Sequence, residues 1–177
     1  MIRLRFWYGD TMNKAFTKED DGSTPERLPN LPISGHPNHV TPSGLAALKA
    51  RHVALEAEVT RLREGRDFLD DLHPLSVAER DLRYVEVRLN TAILVPPPEG
   101  ACDQVLFGAT VTVADEDGRE TRYTIVGEDE SDPAQGLIAG FSPLARALIE
   151  ARVGDIVEWP KPTGVVELEV LRVSYRA

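Results

Sequence analysis

Hydrophobic residues recur at alternating spacings of three and four positions in two stretches between residues 41 and 95. In a helix of about 3.6 residues per turn, this spacing places the apolar side chains in a seam along one face. The first seam comprises Leu45, Leu48, His52, Leu55, Val59 and Leu62, in which the polar His52 interrupts the apolar residues. The second seam comprises Leu75, Ala78, Leu82, Val85, Leu89 and Ala92. Because the seams are equal in length, they predict an antiparallel helical hairpin, a coiled coil over 41–95, with Leu62 near Leu75.

The sequence also marks where the two helices should begin and end. Thr41–Pro42 predicts the start of the first helix, since Thr is a good N-cap and Pro is tolerated at the first helical position. Gly65 is expected in the left-handed conformation that often follows a last helical turn. Ser76–Glu79 has the spacing of a capping box for the second helix, and the prolines at 96–98 prevent its continuation.

Three carboxylates lie in the segment that should turn between the helices. They are Asp67, Asp70 and Asp71, and Pro74 follows them. Carboxylate oxygens grouped on an exposed loop are ligands of the kind that Mg²⁺ takes in proteins. Charged residues on turns are usually solvated, so the residues alone leave both a metal-binding tip and a purely solvated tip open.

After a linker over 96–101, the periodicity changes from that of helices to that of strands. Runs rich in β-branched residues predict five strands, at Val105–Val113, Arg122–Val126, Leu137–Phe141, Ile156–Trp159 and Val165–Tyr175. Ser142 and Pro143 form a second pair of cap and proline, which predicts a short helix packed on these strands. The fold class is therefore α+β: the helical hairpin is followed by a compact antiparallel sheet with one short helix over 102–177.

Residues 1–40 have neither a helical nor a strand period. Acidic residues, small residues and several prolines favour an extended, flexible arm. His36 and His39 in this arm are expected to pack at the helix entry or to face solvent, because no third metal ligand lies nearby. Met12 is an alternative start to Met1.

The chain is acidic, with a formal net charge of −9, and residues 101–177 hold 14 Asp and Glu against 7 Lys and Arg. This charge argues against binding to nucleic acid phosphates and is compatible with a protein partner that has a basic surface. Cys102 is the single cysteine, which excludes a disulfide framework and a cysteine-based zinc site. No apolar run is long enough to span a membrane and no signal peptide pattern is present, so we expect a cytoplasmic protein without a membrane partner.

The sequence lacks a nucleophile elbow, a P-loop, a dinucleotide fingerprint and a zinc-protease motif. Thr41–Leu45 is similar to the start of the coiled coil of the GreA/GreB transcription elongation factors. Four blocks resemble, in order and spacing, the C-terminal domain of that family: Val105–Val113, Tyr123–Glu130, Ser142–Leu148 and Val153–Asp155. The resemblance covers residues 41–177.

The resemblance implies a factor that binds bacterial RNA polymerase and acts on nascent RNA only indirectly. An FKBP-like C-terminal domain would dock at the rim of the polymerase secondary channel, with Ser142 and Pro143 at the contact. The coiled coil would enter the channel, where Asp67, Asp70 and Asp71 would help hold a second Mg²⁺ at the polymerase active site. Such a factor has no catalytic residues or cofactor of its own and no metal when free, because the polymerase cleaves backtracked RNA.

The predicted tip departs from the family pattern. Asp70–Ser76 lacks the Glu-Asn pair and the following Glu-Tyr of cleavage-competent members. The hairpin is also expected to be shorter than usual by roughly two turns per helix, or about 11 Å. A non-cleaving, Rnk-like regulator that competes with Gre factors in the channel is therefore an equal alternative to a cleavage factor.

Two further classes of function are open at this point. A peptidyl-prolyl isomerase or chaperone built on the FKBP-like domain is a remote alternative, because the aromatic residues have the spacing of core strand residues rather than of a prolyl pocket. The second class is a dimeric coiled-coil scaffold with no role at the polymerase. The single break at Gly65 and the equal seams favour an intramolecular hairpin, and hence a monomer.

Overall fold

The computed structural model of the protein describes residues 27–65 and 72–175. It contains the predicted hairpin, in which helix α1 spans Pro42–Glu64 and helix α2 spans His73–Asn90. At 1.5 Å per residue, the helices are about 34 and 27 Å long. The two helices pack against each other, and we call this pair the rod.

The two hydrophobic seams pack against each other in the predicted antiparallel order. Towards the tip, one buried cluster and the side chains around it comprise Val59, Leu62, Leu75, Ala78 and Leu82. At the base, a second cluster comprises Val40, Leu45, Leu48, Leu55, Tyr84, Val85, Leu89 and Ala92. The alternating spacing in the sequence therefore produces two apolar clusters between the helices, one towards the tip and one at the base.

Of the four predicted markers of helix ends, Thr41 agrees with the structure, and α2 ends at Asn90, before the prolines at 96–98. Thr41 is the N-cap of α1, and its hydroxyl accepts a hydrogen bond of 3.0 Å from the Gly44 N–H. The prediction for Gly65 was wrong: its φ is −81°, because its N–H still donates to the carbonyl four residues back and the chain leaves the helix without a left-handed residue. The capping box at Ser76 was also wrong, since α2 begins three residues earlier and the Ser76 hydroxyl donates to the Leu72 carbonyl.

A two-stranded parallel sheet closes the base of the rod. Strand β1 (His39–Val40) precedes α1, and strand β2 (Ile93–Leu94) follows α2. Val40 is 1% exposed, and Asn38 donates to the carbonyl of Arg88 at 2.7 Å. His39 and Val40, which lie within the arm predicted over 1–40, form a strand, and Val40 completes the apolar cluster at the base.

The C-terminal part is a curled five-stranded sheet. Its strands are β3 (Ala109–Ala114), β4 (Glu120–Val126), β5 (Leu137–Ala139), β6 (Ile156–Lys161) and β7 (Gly164–Tyr175). They are arranged in the order β5-β4-β3-β7-β6. Neighbouring strands are antiparallel except for β4 and β5, which are parallel because two 3-10 turns at 128–130 and 133–135 carry the chain back before β5 begins.

The predicted short helix is α3 (Pro143–Leu148), which packs on this sheet. Leu144, Ala145 and Leu148 on α3 are buried in the same core as Val111 and Val170 of the sheet. The α+β class, with a hairpin first and a mostly antiparallel sheet with one short helix after it, is therefore confirmed. Neither long helix in the described ranges is apolar enough to cross a membrane.

Candidate functional site

The predicted tip carboxylates Asp67, Asp70 and Asp71 lie outside the described residues, between Gly65 and Leu72. The structure describes the helical turns on either side of them. There, an ion pair of 2.7 Å joins Arg63 of α1 to Glu79 of α2. The two helices are thus held together close to the point where the acidic segment begins and ends.

Ser142 and Pro143, the predicted docking residues, form a corner between β5 and α3. The Ser142 hydroxyl accepts a hydrogen bond of 3.2 Å from the Ala145 N–H, and its carbonyl accepts one of 3.0 Å from the Arg146 N–H. Ser142 is therefore the N-cap of α3, whereas Pro143 at the first helical position is exposed. The side chains of Pro143 and Arg146 remain available for contact with a partner.

Two histidines of the N-terminal segment contact aromatic rings of the globular part. His36 stacks on Phe141 with ring centroids 4.2 Å apart, and His39 meets the edge of Phe107 at 5.7 Å. The packing role expected for these histidines is thus found for both rings. Within the described part of the chain, no group of three or more His, Cys, Asp or Glu residues could hold a metal ion.

A loop between β4 and β5 joins the rod to the globular part. We call residues 127–130 the junction loop. Arg88 of α2, only 1% exposed, donates from Nε to Asp129 Oδ2 at 2.6 Å, and its Nη1 lies 3.2 Å from Glu128 Oε2. The Asp129 side chain is 11% exposed, so this ion pair is largely shielded from water. Among the described residues, the buried Arg88 Nη2 has no partner.

Tyr84 lies one helical turn before Arg88 and contacts the same carboxylate. Its hydroxyl donates to Asp129 Oδ1 at 2.7 Å. Burial, followed by the hydrogen bond to Asp129, raises the pKa of Tyr84 to about 12. Both carboxylate oxygens of Asp129 are therefore occupied by side chains of α2.

Glu130, the next residue in the junction loop, holds the start of α1. Its carboxylate accepts a hydrogen bond of 3.0 Å from the Thr41 N–H, one from the Thr41 hydroxyl and one of 3.2 Å from the Gly127 N–H. Gly44 leaves the space that this carboxylate occupies, since a Cβ built on Gly44 would lie 2.0 Å from the Glu130 carboxyl carbon. Consecutive residues of one loop thus contact both helices of the rod.

Residues 28–40, which we call the strap, cross from the rod to the globular part. Arg83 on α2 donates to the Asn30 side chain at 3.0 Å and to the Leu28 carbonyl at 2.9 Å. Farther along the strap, the Ser34 hydroxyl donates to Glu128 Oε2 at 2.7 Å. The junction therefore combines the strap, the junction loop and the base of both helices.

The sequence alone does not mark Arg88, Asp129 or Glu130 as functional residues. Residues 128–130 form an acidic run between two predicted strands, and Arg88 lies beside the seam position Leu89 rather than on the seam. The features of the sequence that could have indicated this contact are an arginine next to the seam and three consecutive carboxylates in an acidic domain. That signal does not indicate which residues meet, because the partners are 41 positions apart.

Comparisons with known proteins find a matching family model and several relatives. Residues 99–175 match the family model described as transcription elongation factor, GreA/GreB, C-terminal. Transcription elongation factor GreB of Neisseria meningitidis serogroup B is 39% identical over 153 residues, which cover 78% of this chain and 94% of the relative. GreA of Alkalilimnicola ehrlichii is 40% identical over 116 residues, which cover 64% of this chain and 73% of the relative. A solved GreA/GreB structure from Nitrosomonas europaea is 24% identical, covers 77% of this chain and 98% of that one, and has a TM-score of 0.40.

Proposed function

Because this chain belongs to the GreA/GreB family of transcription elongation factors, we propose that it binds bacterial RNA polymerase through its C-terminal domain and inserts its helical hairpin into the secondary channel. The observation that carries this proposal is the similarity to a GreB factor over 94% of that protein. The match is long enough to include the hairpin as well as the globular domain. We therefore include both the rod and the docking domain in the proposed function.

Ser142 and Pro143 are the proposed docking residues. Pro143 is exposed at the first position of α3, and Arg146 is exposed one turn later. Ser142 caps the helix and thereby sets the position of both. Proline has little conformational freedom to lose, so an exposed proline on a capped helix presents a well-ordered contact to a partner.

Asp67, Asp70 and Asp71 are the proposed functional residues of the tip. Carboxylate oxygens suit Mg²⁺, which retains water ligands and shares its coordination between a protein and a phosphate substrate. The catalytic metal belongs to the polymerase, and two such ions would stabilise the attacking and leaving oxygens during RNA cleavage. The protein itself then has no catalytic residue, and it is not an enzyme on its own.

The test is RNA cleavage in a stalled, backtracked elongation complex of the cognate polymerase, with and without this protein. We expect shortened RNA 3′ ends with the wild-type protein and their loss in a variant with Asp70→Asn and Asp71→Asn. Asp117→Asn in the exposed turn between β3 and β4 is the matched control, since it removes one exposed carboxylate elsewhere. Cleavage that persists in this double variant would refute the role of Asp70 and Asp71.

The second candidate function is that of a non-cleaving regulator that occupies the channel. It is favoured by the tip sequence, where α2 begins at His73 directly after Asp71 and Leu72 and the Glu-Asn pair is missing. Such a regulator would inhibit cleavage by a Gre factor added to the same complex, and would do so in a concentration-dependent manner. Absence of both cleavage and competition would refute a role in the channel.

A further inference from the structure

The rod and the globular domain are joined by a single covalent connection, residues 95–108 between β2 and β3. A single connection of this kind would leave the rod free to swing. The junction loop adds two further attachments, because Asp129 binds α2 through Arg88 and Tyr84, and Glu130 binds the start of α1. Two attachments on different helices oppose rotation of the rod about either one.

The attachment to α2 is an ion pair whose arginine is buried. Arg88 is 1% exposed, so its charge is neutralised by Asp129 and, at a longer distance, by Glu128. A buried ion whose partner is removed is strongly disfavoured, because the remaining charge is neither hydrated nor paired. Any swing of the rod that separated Arg88 from Asp129 would create that situation.

The attachment to α1 requires the Glu130 carboxylate to lie close to the helix backbone at Gly44. The Glu130 carboxylate lies against Gly44, where any side chain would displace it. In this position it satisfies the Thr41 N–H and hydroxyl at the start of the helix. Helix starts carry unpaired N–H groups and a partial positive charge, so a carboxylate is well suited to bind there.

The length of the rod makes its direction important. The described end of the rod, at Glu64 and His73, lies about 30 Å from the junction, as estimated from the helix lengths. A rotation of about 10° would therefore move the tip by roughly 5 Å, more than twice a Mg²⁺–oxygen distance of about 2.1 Å. The rod has to be held to within a few degrees if its carboxylates are to reach a metal ion.

We propose that Arg88, Asp129 and Glu130 are positioning residues, which set the direction of the hairpin relative to the docking corner at Ser142 and Pro143. This inference rests on the proposed function, in which the domain docks and the rod projects. Among the described residues, the hydrogen bonds of Ser142 are with Ala139, Ala145 and Arg146, and none is with the three positioning residues. Their loss therefore affects the placement of the tip while leaving the docking residues in place.

The experiment measures a distance between the rod and the globular domain, which changes when the direction of the rod changes. In a Cys102→Ser background, spin labels at Ala57→Cys on α1 and Glu116→Cys on the turn after β3 report the distance between rod and domain, since both sites are exposed. The test variant is Asp129→Asn, which preserves size and removes the charge. The matched control is Asp103→Asn, whose carboxylate forms an exposed ion pair with Arg152 inside the globular part.

We expect a narrow distance distribution in the unsubstituted background and in Asp103→Asn, and a broad or shifted one in Asp129→Asn. Polymerase affinity should change by less than about twofold, because Asp129 takes no part in the hydrogen bonds of Ser142 that shape the docking corner. The effect on transcription, whether cleavage or competition, should fall by about tenfold or more, since small displacements of a positioned group are costly.

Three outcomes would overturn the proposal or separate it from the proposed function. An unchanged distance distribution in Asp129→Asn would show that the ion pair does not hold the rod. A broadened distribution with an unchanged effect on transcription would show that its direction is unimportant. If the wild-type protein does not affect the polymerase, the proposed function fails, and the distances still decide whether the junction fixes the rod. Gly44→Ala, which displaces Glu130 without removing a charge, is the second variant should Asp129→Asn fail to fold.

Discussion

The replacement Gly44→Ala tests the junction through two opposing effects. Alanine is a better helix former than glycine by about 1 kcal/mol, so the substitution favours α1 by itself. The new Cβ, however, would lie 2.0 Å from the Glu130 carboxyl carbon, and this flexible side chain would have to rotate away. Whether the substitution raises or lowers the free energy of unfolding depends on the hydrogen bonds that Glu130 loses when it moves.

Glu130 would lose three hydrogen bonds, from the N–H and hydroxyl of Thr41 and from the N–H of Gly127. Hydrogen bonds to a charged group contribute about 1.5–3 kcal/mol each. Glu130 is half-buried, and water replaces part of what is lost, so we take about 3 kcal/mol for the set. Subtracting the helix gain leaves a net destabilisation of about 2 kcal/mol, which lowers the Tm of a protein of this size by roughly 4–8 °C.

The assay is urea and thermal unfolding followed by circular dichroism, in the wild-type and Glu130→Ala backgrounds. Without the Glu130 carboxylate, Gly44→Ala meets no obstacle from it and should stabilise the protein by about 1 kcal/mol. Gly35→Ala is the matched glycine control, because its Cβ would have nothing within 4 Å. A stabilising effect of Gly44→Ala in the wild-type background, or an equal effect in both backgrounds, would refute the reasoning.

Other residues give predictions that are checked independently. Tyr84→Phe tests the raised pKa: the folded protein keeps the phenol proton up to about pH 12, whereas its ordinary pKa is 10.0. Stability should therefore fall as the pH rises between these values, and urea titrations should show a smaller fall in the variant. Pro143→Ser should weaken polymerase binding without changing Tm by more than a few degrees, because Pro143 is exposed; a surface-binding assay decides this. His36→Ala should lower Tm by a few degrees through loss of the stacking on Phe141, with Arg27→Ala as the control on an exposed residue.

The periodic parts of the fold could be predicted from the sequence. The seams at three-and-four spacing, Thr41 with Pro42, and Ser142 with Pro143 act through neighbouring residues, so the pattern of the chain itself contains the signal. The equal length of the two seams was enough to predict their antiparallel pairing. The same local signal explains why the short helix and the α+β class were predicted correctly.

Local signals failed where two interpretations were equally consistent with the chain. Gly65 is compatible with both a left-handed and an ordinary conformation, and only the hydrogen bond of its N–H distinguishes them. Ser76 suits a helix start, but Pro74 at the second helical position allows α2 to begin at His73. The parallel pairing of β4 and β5 depends on how two short turns direct the chain, which periodicity does not report.

The junction was decided by tertiary structure alone. Arg88 meets Asp129 across 41 positions and Thr41 meets Glu130 across 89, and no periodicity links such distant residues. An arginine beside a seam and a run of carboxylates are ordinary surface features until folding removes water from between them. Burial then turns exposed charges, which interact weakly in water, into a pair that cannot separate without leaving a charge unpaired. The sequence thus determined the rod and the domain, and the packing between them determined the direction of the rod.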